Sequence, residues 1–250
     1  MLFRSNDELS LAPNIIFKIC DRASGIGSDG LIRITKSDGN WFMDYRNRDG
    51  SLAEMCGNGI RLMAKYLVER GHQSEGIFAI DTRDGIKYLS VPKEGNISVN
   101  MGGVSALSND IEVSANGNHW ENGFNISVGN PHAVVFVENV EAAGDLKVAP
   151  KVEPTHEYPD GVNIEFVEFL DNGELKMRVH ERGVGETRAC GTGTCAVALA
   201  ATLKKNQKLP SKWVIYPPGG RLEVEIDAHS NATLIGPAVL VRDCELDSYL

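Results

Sequence analysis

Two segments of this sequence set a cysteine before a helix in the same way. Cys56-Gly57-Asn58-Gly59 precedes a helical pattern at Ile60, Met63, Ala64, Leu67 and Val68 that stops at Gly71. Cys190-Gly191-Thr192-Gly193 precedes the run Thr194–Lys204, apolar almost all round and therefore read as a buried helix. The first N–H groups of a helix lack intrahelical partners, and with the helix dipole they attract an anion. Glycine lets a ligand approach those amides, and a cysteine at that end has its thiolate favoured. A single Cys-Gly-x-Gly is no more than a tight turn. Two of them, 134 residues apart, suggest two thiols converging on one carboxylate. Such a pair could move protons on and off an amino acid's α-carbon, one thiolate removing a proton and a thiol on the opposite face returning one.

Other chemistries fit less well. Gly25-x-Gly27-x-x-Gly30 follows a helix-like segment (15–22) and precedes a strand-like one (31–35), the reverse of the dinucleotide-binding order. Gly191-x-Gly193-x-x-Ala196 has the right order, but no Asp or Glu occurs between Glu186 and Glu223 to hold a ribose. Cys20, Cys195 and Cys244 lack the Gly-x-Gly setting and read as packing residues; without a Cys-x-x-Cys neither a zinc knuckle nor a redox pair is indicated. The six histidines form no metal-spaced pair. His132, in Gly129-Asn130-Pro131-His132, is either a turn residue or a group that holds a neighbouring thiol in its protonation state. Arg182, in Glu181-Arg182-Gly183, either makes a surface ion pair or forks onto a substrate carboxylate. Turn chemistry alone would account for Asn47 and Asn163.

These residues need a strand-rich frame. Strand signals run through 31–35, 41–45, 77–81, 86–91, 97–101, 125–128, 133–137 and 234–241. Asp171-Asn172-Gly173 turns one hairpin between 162–169 and 174–181, and Pro217-Pro218-Gly219-Gly220 turns a second. The shared helix openings predict a duplicated α/β unit, each half wrapped on one buried helix. The boundaries expected are 1–104 for the first half, joined by a C-terminal strand over 237–250, and 105–236 for the second. The chain is 250 residues with a net charge of −9, 42% hydrophobic and 24% charged. That composition excludes a disordered chain and a broad nucleic-acid footprint. No apolar run approaches a membrane span and no signal-like core opens the sequence, so a cytoplasmic protein is expected.

In combination the motifs resemble the diaminopimelate epimerase family. The matching segments are Cys20-Asp21-Arg22, Gly25-Ile26-Gly27-Ser28-Asp29-Gly30, Asn47-Arg48-Asp49-Gly50-Ser51, Met55-Cys56-Gly57-Asn58-Gly59, Gly129-Asn130-Pro131-His132, Asp160-Gly161-Val162-Asn163, and Glu181-Arg182-Gly183-Val184-Gly185-Glu186-Thr187 through Cys190-Gly191-Thr192-Gly193. The resemblance implies two pseudo-symmetric α/β domains with the active site in the cleft between them. It implies cofactor-independent interconversion of LL- and meso-diaminopimelate, in lysine and cell-wall precursor synthesis, with no metal. Cys56 and Cys190 match the acid/base pair. Gly57, Asn58, Gly191 and Thr192 match the cradles for the reacting carboxylate. Asn47, Asn130, Asn163 and Arg182 match contacts to the distal end, and His132 and Glu181 match residues that tune the thiols. The partner implied is a small amino acid, and the family allows a homodimer. The alternatives are a racemase of another amino acid, or a binding protein or inactive remnant of the same fold. Members open with a strand carrying a Gly-Asn-Asp-Phe-like motif. Here Ser5-Asn6-Asp7-Glu8 stands without an apolar strand around it, so the first strand and its substrate contact are expected to be missing.

Overall fold

A computed structural model describes residues 1–4 and 11–244. The chain divides into two units, residues 1–99 with 237–250 and residues 100–236. The first contains β1 (Leu2–Arg4), α1 (Pro13–Cys20), β2 (Gly30–Ser37), β3 (Asn40–Asn47), α2 (Gly57–Glu69), β4 (Gly76–Thr82), β5 (Gly85–Val91) and the start of β6 (Ile97–Gly103). The second contains β7 (Ser105–Ala115), β8 (Asn118–Ser127), β9 (Pro131–Phe136), β10 (Lys151–Glu153), β11 (Asn163–Phe169), β12 (Leu175–Glu181), β13 (Gly185–Thr187), α3 (Gly191–Lys204), β14 (Ser211–Tyr216), β15 (Leu222–Ile226) and β16 (Asn231–Gly236).

Both units run the same path. In the first, β1 lies parallel to β2, β2 antiparallel to β3, β3 parallel to β4, β4 antiparallel to β5, and β5 antiparallel to β6. In the second, β9, β11, β12, β14, β15 and β16 repeat that order and those directions. Each parallel step needs a crossover. In both units a cysteine-headed helix supplies the second of them: α2 between β3 and β4, α3 between β12 and β14. The second unit adds β7, β8 and β10 beyond β9, with β13 paired to β12.

Local chemistry explains the helix ends. Gly71 takes φ +69° after α2, and Gly71 N and His72 N donate to Val68 O and Leu67 O. Asn206 takes φ +51° after α3, and Asn206 N and Gln207 N donate to Leu203 O and Thr202 O. Asparagine here does the work of the glycine, because its short polar side chain tolerates the left-handed region. Gly173, at φ +81°, turns the β11–β12 hairpin where Asn-Gly predicts it.

Three expectations are corrected, and one strand goes beyond the sequence reading. A first strand is present: β1 pairs with β2 from Leu2↔Ile32 to Arg4↔Ile34, and Ile32 N donates to Met1 O at 2.8 Å. Three residues are too few for periodicity to register, and the pairing comes from β2. The segment Ser5–Glu8 lies outside the described residues. Second, residues 237–244 form no strand. Pro237 follows the last residue of β16 and has no N–H for a ladder; the rest of 237–250 lies outside the described residues. Third, α2 buries one face, through Ile60, Met63, Ala64 and Leu67, whereas α3 is buried continuously from Gly193 to Thr202. The added strands explain this: α3 packs on β7, β8, β9 and β11 as well as β14–β16, while α2 packs on β2, β3 and β5. The further strand is β7, which gives no strand signal in the sequence because three register shifts against β8 break its alternation. Among the described residues no helix is long and apolar enough to cross a membrane.

Candidate active site

The two cysteines are the N-caps of their helices. Cys56 has extended backbone angles of φ −141° and ψ 108°, and its Sγ accepts from Gly59 N at 3.2 Å. Cys190 has φ −115° and ψ 122°, and its Sγ accepts from Gly193 N at 3.4 Å. Each sulfur thus takes the place of a Ser or Asp cap oxygen on the third helical N–H. The third position of each helix is closely approached by a strand side chain, held in place at Gly193 and free to shift at Gly59. A methyl on Gly59 would stand 2.9 Å from Ile32 Cδ1, and one on Gly193 would stand 2.6 Å from Glu165 Oε1.

Around Cys56 the first turn of α2 carries Gly57 and Asn58. Asn58 Oδ1 accepts from Arg61 Nη2 at 2.8 Å, and Arg61 Nη1 donates to Gly57 O at 3.1 Å. Arg61 is buried, so a fixed cation stands in the turn that begins at Cys56. Asn47 ends β3; its Nδ2 donates to Ser51 Oγ at 3.1 Å, and Gly50 N donates to Asn47 O at 2.9 Å. Its side chain therefore closes the 47–51 turn.

Around Cys190 the second unit gathers the remaining predicted residues. Thr192 Oγ1 lies 3.4 Å from Cys190 Sγ, and Asn130 Nδ2 donates to Thr192 Oγ1 at 3.4 Å. His132 Nε2 lies 3.0 Å from Asn130 Oδ1, and its Nδ1 lies 2.7 Å from Glu165 Oε1. Asn163, beside His132 in the β9–β11 register, donates through Nδ2 to Pro131 O at 3.1 Å and accepts from Arg182 N at 3.0 Å. The Arg182 guanidinium is exposed and reaches Asp160 O at 3.4 Å. Glu181 accepts from Thr187 Oγ1. Gly191 opens α3.

The electrostatics of Cys190 depart from the sequence expectation. Burial pushes its thiol well above the ordinary cysteine value, and the charges of Glu181 and then Glu165 push the same way. The bonds to Thr192 and Gly193 oppose this without reversing it. A helix N-terminus favours a thiolate, but here desolvation outweighs it. Cys190 therefore stands as a thiol.

Sequence reasoning passes over Glu165 and Arg61. Glu165 lies within a strand that reads as apolar; the signal is a carboxylate two residues after Asn163 in a strand buried from Asn163 to Val167. Arg61 falls inside an apolar helical repeat, at a position that its buried neighbours mark as inward-facing.

The fold is shared with solved structures of differently named proteins. A Bacillus anthracis phenazine biosynthesis protein of the PhzF family superposes with a TM-score of 0.72 at 16% identity, covering 93% of this chain and 88% of that one. A hydroxyproline epimerase from Agrobacterium vitis, with trans-4-hydroxy-L-proline bound, gives 0.65 at 15%, covering 89% and 76%. At these identities the likeness is one of fold. The sequence comparisons go further. The profile of the diaminopimelate epimerase family matches residues 3–107 and 124–241. The diaminopimelate epimerase of Streptomyces coelicolor is 43% identical over 96% of this chain and 88% of its own length, and that of Thermobifida fusca is 39% identical over 94% and 89%. The chain belongs to the diaminopimelate epimerase family.

Proposed function

We propose that this protein interconverts LL- and meso-diaminopimelate by two-thiol acid/base chemistry, without a cofactor, in lysine and cell-wall precursor synthesis. The observation that carries this reading is the repeated cap: Cys56 and Cys190 each head a helix with Sγ on the third N–H. In one direction the Cys56 thiolate takes the α-hydrogen and becomes a thiol. Cys190 gives its proton to the opposite face of the carbanion and becomes a thiolate. The reverse reaction restores both. Cys190 suits the acid role because burial and two carboxylates keep it protonated.

The carbanion is met by the N–H groups of Gly57, Asn58, Gly191 and Thr192 at the two helix starts, fixed dipoles that need no reorganisation. Asn47, Asn130, Asn163 and Arg182 recognise the distal amino-acid head, with the guanidinium forking onto its carboxylate. His132 and Glu181 act on the protonation of the thiols.

Incubation of purified protein with LL-diaminopimelate in deuterated water tests the reading. The meso product should carry solvent deuterium at the inverted carbon while unreacted substrate stays largely protiated early on. Return of the original hydrogen to the product would exclude two separate bases. Failure to convert LL-diaminopimelate at all would overturn the substrate assignment.

A further inference from the structure

Ile32 and Glu165 are equivalent positions. Ile32 sits on β2 and packs against Gly59, the third residue of α2. Glu165 sits on β11 and packs against Gly193, the third residue of α3. The first repeat shows that the fold needs only an apolar side chain here. A fully buried carboxylate in the second repeat is expensive. Its Oε2 has no hydrogen-bond partner among the described residues, and its Oε1 is committed to His132, itself fully buried.

The partners of His132 fix its hydrogens. Nε2 faces Asn130 Oδ1, which can only accept, because Asn130 Nδ2 is turned to Thr192. Nε2 therefore carries a hydrogen. Nδ1 stands against Glu165 Oε1 at 2.7 Å, a separation that needs a shared proton between them. Two hydrogens on this pair leave it with no net charge, as its burial favours. From there His132 Nε2–H donates to Asn130 Oδ1 and Asn130 Nδ2–H to Thr192 Oγ1, which leaves the Thr192 hydroxyl hydrogen available to Cys190 Sγ, 3.4 Å away.

We propose that Glu165 is a positioning residue: by holding a proton against His132 Nδ1 it makes His132 a donor at Nε2, and so orients Asn130 and Thr192 to end in a hydrogen bond donated to Cys190 Sγ. That last bond strengthens when Cys190 has given up its proton, because the acceptor is then charged. His132 acts on Cys190 through two intermediaries and is not itself a free base. The kinetic part of this inference rests on the proposed epimerisation; the protonation of His132 does not.

The experiment has two arms. In the wild-type protein labelled with ¹⁵N-histidine, long-range ¹H–¹⁵N spectra, assigned with His132→Gln, should show His132 protonated at Nε2. A bare Nε2 with its hydrogen on Nδ1 alone overturns the proposal, whether or not the enzyme turns over. In the second arm Glu165→Gln, His132→Gln and the double variant are compared for kcat/KM on LL-diaminopimelate. A Gln amide can pair with either tautomer, so the preference for Nε2–H is lost. Glu165→Gln should lower kcat/KM by about 10–100-fold, as losing an orienting partner of a site histidine does elsewhere. The double variant should be no worse than His132→Gln alone. Losses that multiply, or wild-type kcat/KM in Glu165→Gln, overturn it. If wild type does not convert LL-diaminopimelate, the substrate reading falls and the spectra still decide the state of His132.

Discussion

The two repeats differ most where they are most alike. Cys56 and Cys190 cap equivalent helices, and the residue nine positions earlier is Asn47 in one and Glu181 in the other. Five positions on stand Arg61 and Cys195, both buried. Beneath the first turn lie Ile32 and Glu165. The first repeat thus places a neutral amide, a cation and an aliphatic chain around its cysteine, and the second places two carboxylates and a thiol. The first turn after Cys56 carries a buried cation, whereas the charges of Glu181 and Glu165 push the Cys190 thiol upward. The proposed acid/base pair calls for such a difference at rest, since one member must begin without its proton and the other with it.

The largest effect should come from removing either sulfur. Cys56→Ala and Cys190→Ala should each lower kcat for LL-diaminopimelate by about 10³-fold, within the range of a lost general acid or base. Cys195→Ala, at the Arg61 position, should lower Tm with little change in turnover. Wild-type turnover in either of the first two variants would end the two-thiol scheme.

The third helical glycine sharpens the contrast. Gly193→Ala drives a methyl into a carboxylate pinned by His132, and should destabilise by about 2–3 kcal/mol, as overpacking does. Gly59→Ala meets the free end of Ile32. There a gain in helix propensity of about 1 kcal/mol offsets the contact, leaving stability close to wild type. Urea unfolding of the two variants gives the comparison, and equal losses would show that the carboxylate is no more rigid than the isoleucine.

Alkaline pH separates the halves through Cys190. Its thiol ionises later in the folded chain than in the unfolded one, so the unfolded state sheds its proton first as pH rises. The stabilisation is full below the unfolded value of about 8.5. Above it, stability falls by up to about 1.4 kcal/mol per pH unit until the folded thiol ionises. Wild type should therefore lose more stability than Cys190→Ser between pH 8 and 10, and Glu181→Gln should lessen the difference by removing one of the causes. Parallel slopes in wild type and Cys190→Ser would contradict the shift.

The smallest effects lie at the helix ends. Gly71→Ala forces a β-carbon into the left-handed region and should cost about 1–2 kcal/mol. Asn206→Gly should stay within about 0.5 kcal/mol of wild type, because asparagine already tolerates that conformation. Urea midpoints measure both.

Much of this was legible in the residues. The cysteines, the glycines beside them and the helix stop at Gly71 are local signals, each with a short-range cause. The Asn172-Gly173 hairpin is another. The features that escaped depend on partners distant in sequence. Glu165 acquires meaning only against His132 and Gly193, which other elements bring to it. Arg61 is the exception, with partners in its own helix: it looks like a break in an apolar stripe until it folds back on Gly57 and Asn58. The three residues of β1 are a strand only because β2 offers an edge. The one buried face of α2 was legible in the spacing of Ile60, Met63, Ala64 and Leu67, whereas the strands that cover α3 on its other sides lie far from it in sequence. The lowered thiolate expected of a helix start failed at Cys190 because the dipole is local and legible, whereas desolvation belongs to the whole surrounding core.

The division of the chain also bears on how the protein is made. The second unit is one uninterrupted stretch, 100–236, whereas the first is assigned residues from both ends of the chain. Arg70 just after α2 grips Asp243 with one nitrogen on both carboxylate oxygens, at 2.6 and 2.7 Å. On the ribosome, the half synthesised first is therefore the half completed last. All its strands, β1 to β6, have emerged by Gly103, so its sheet can form first, and what arrives after the later half is the coil from Pro237 that brings Asp243 to Arg70.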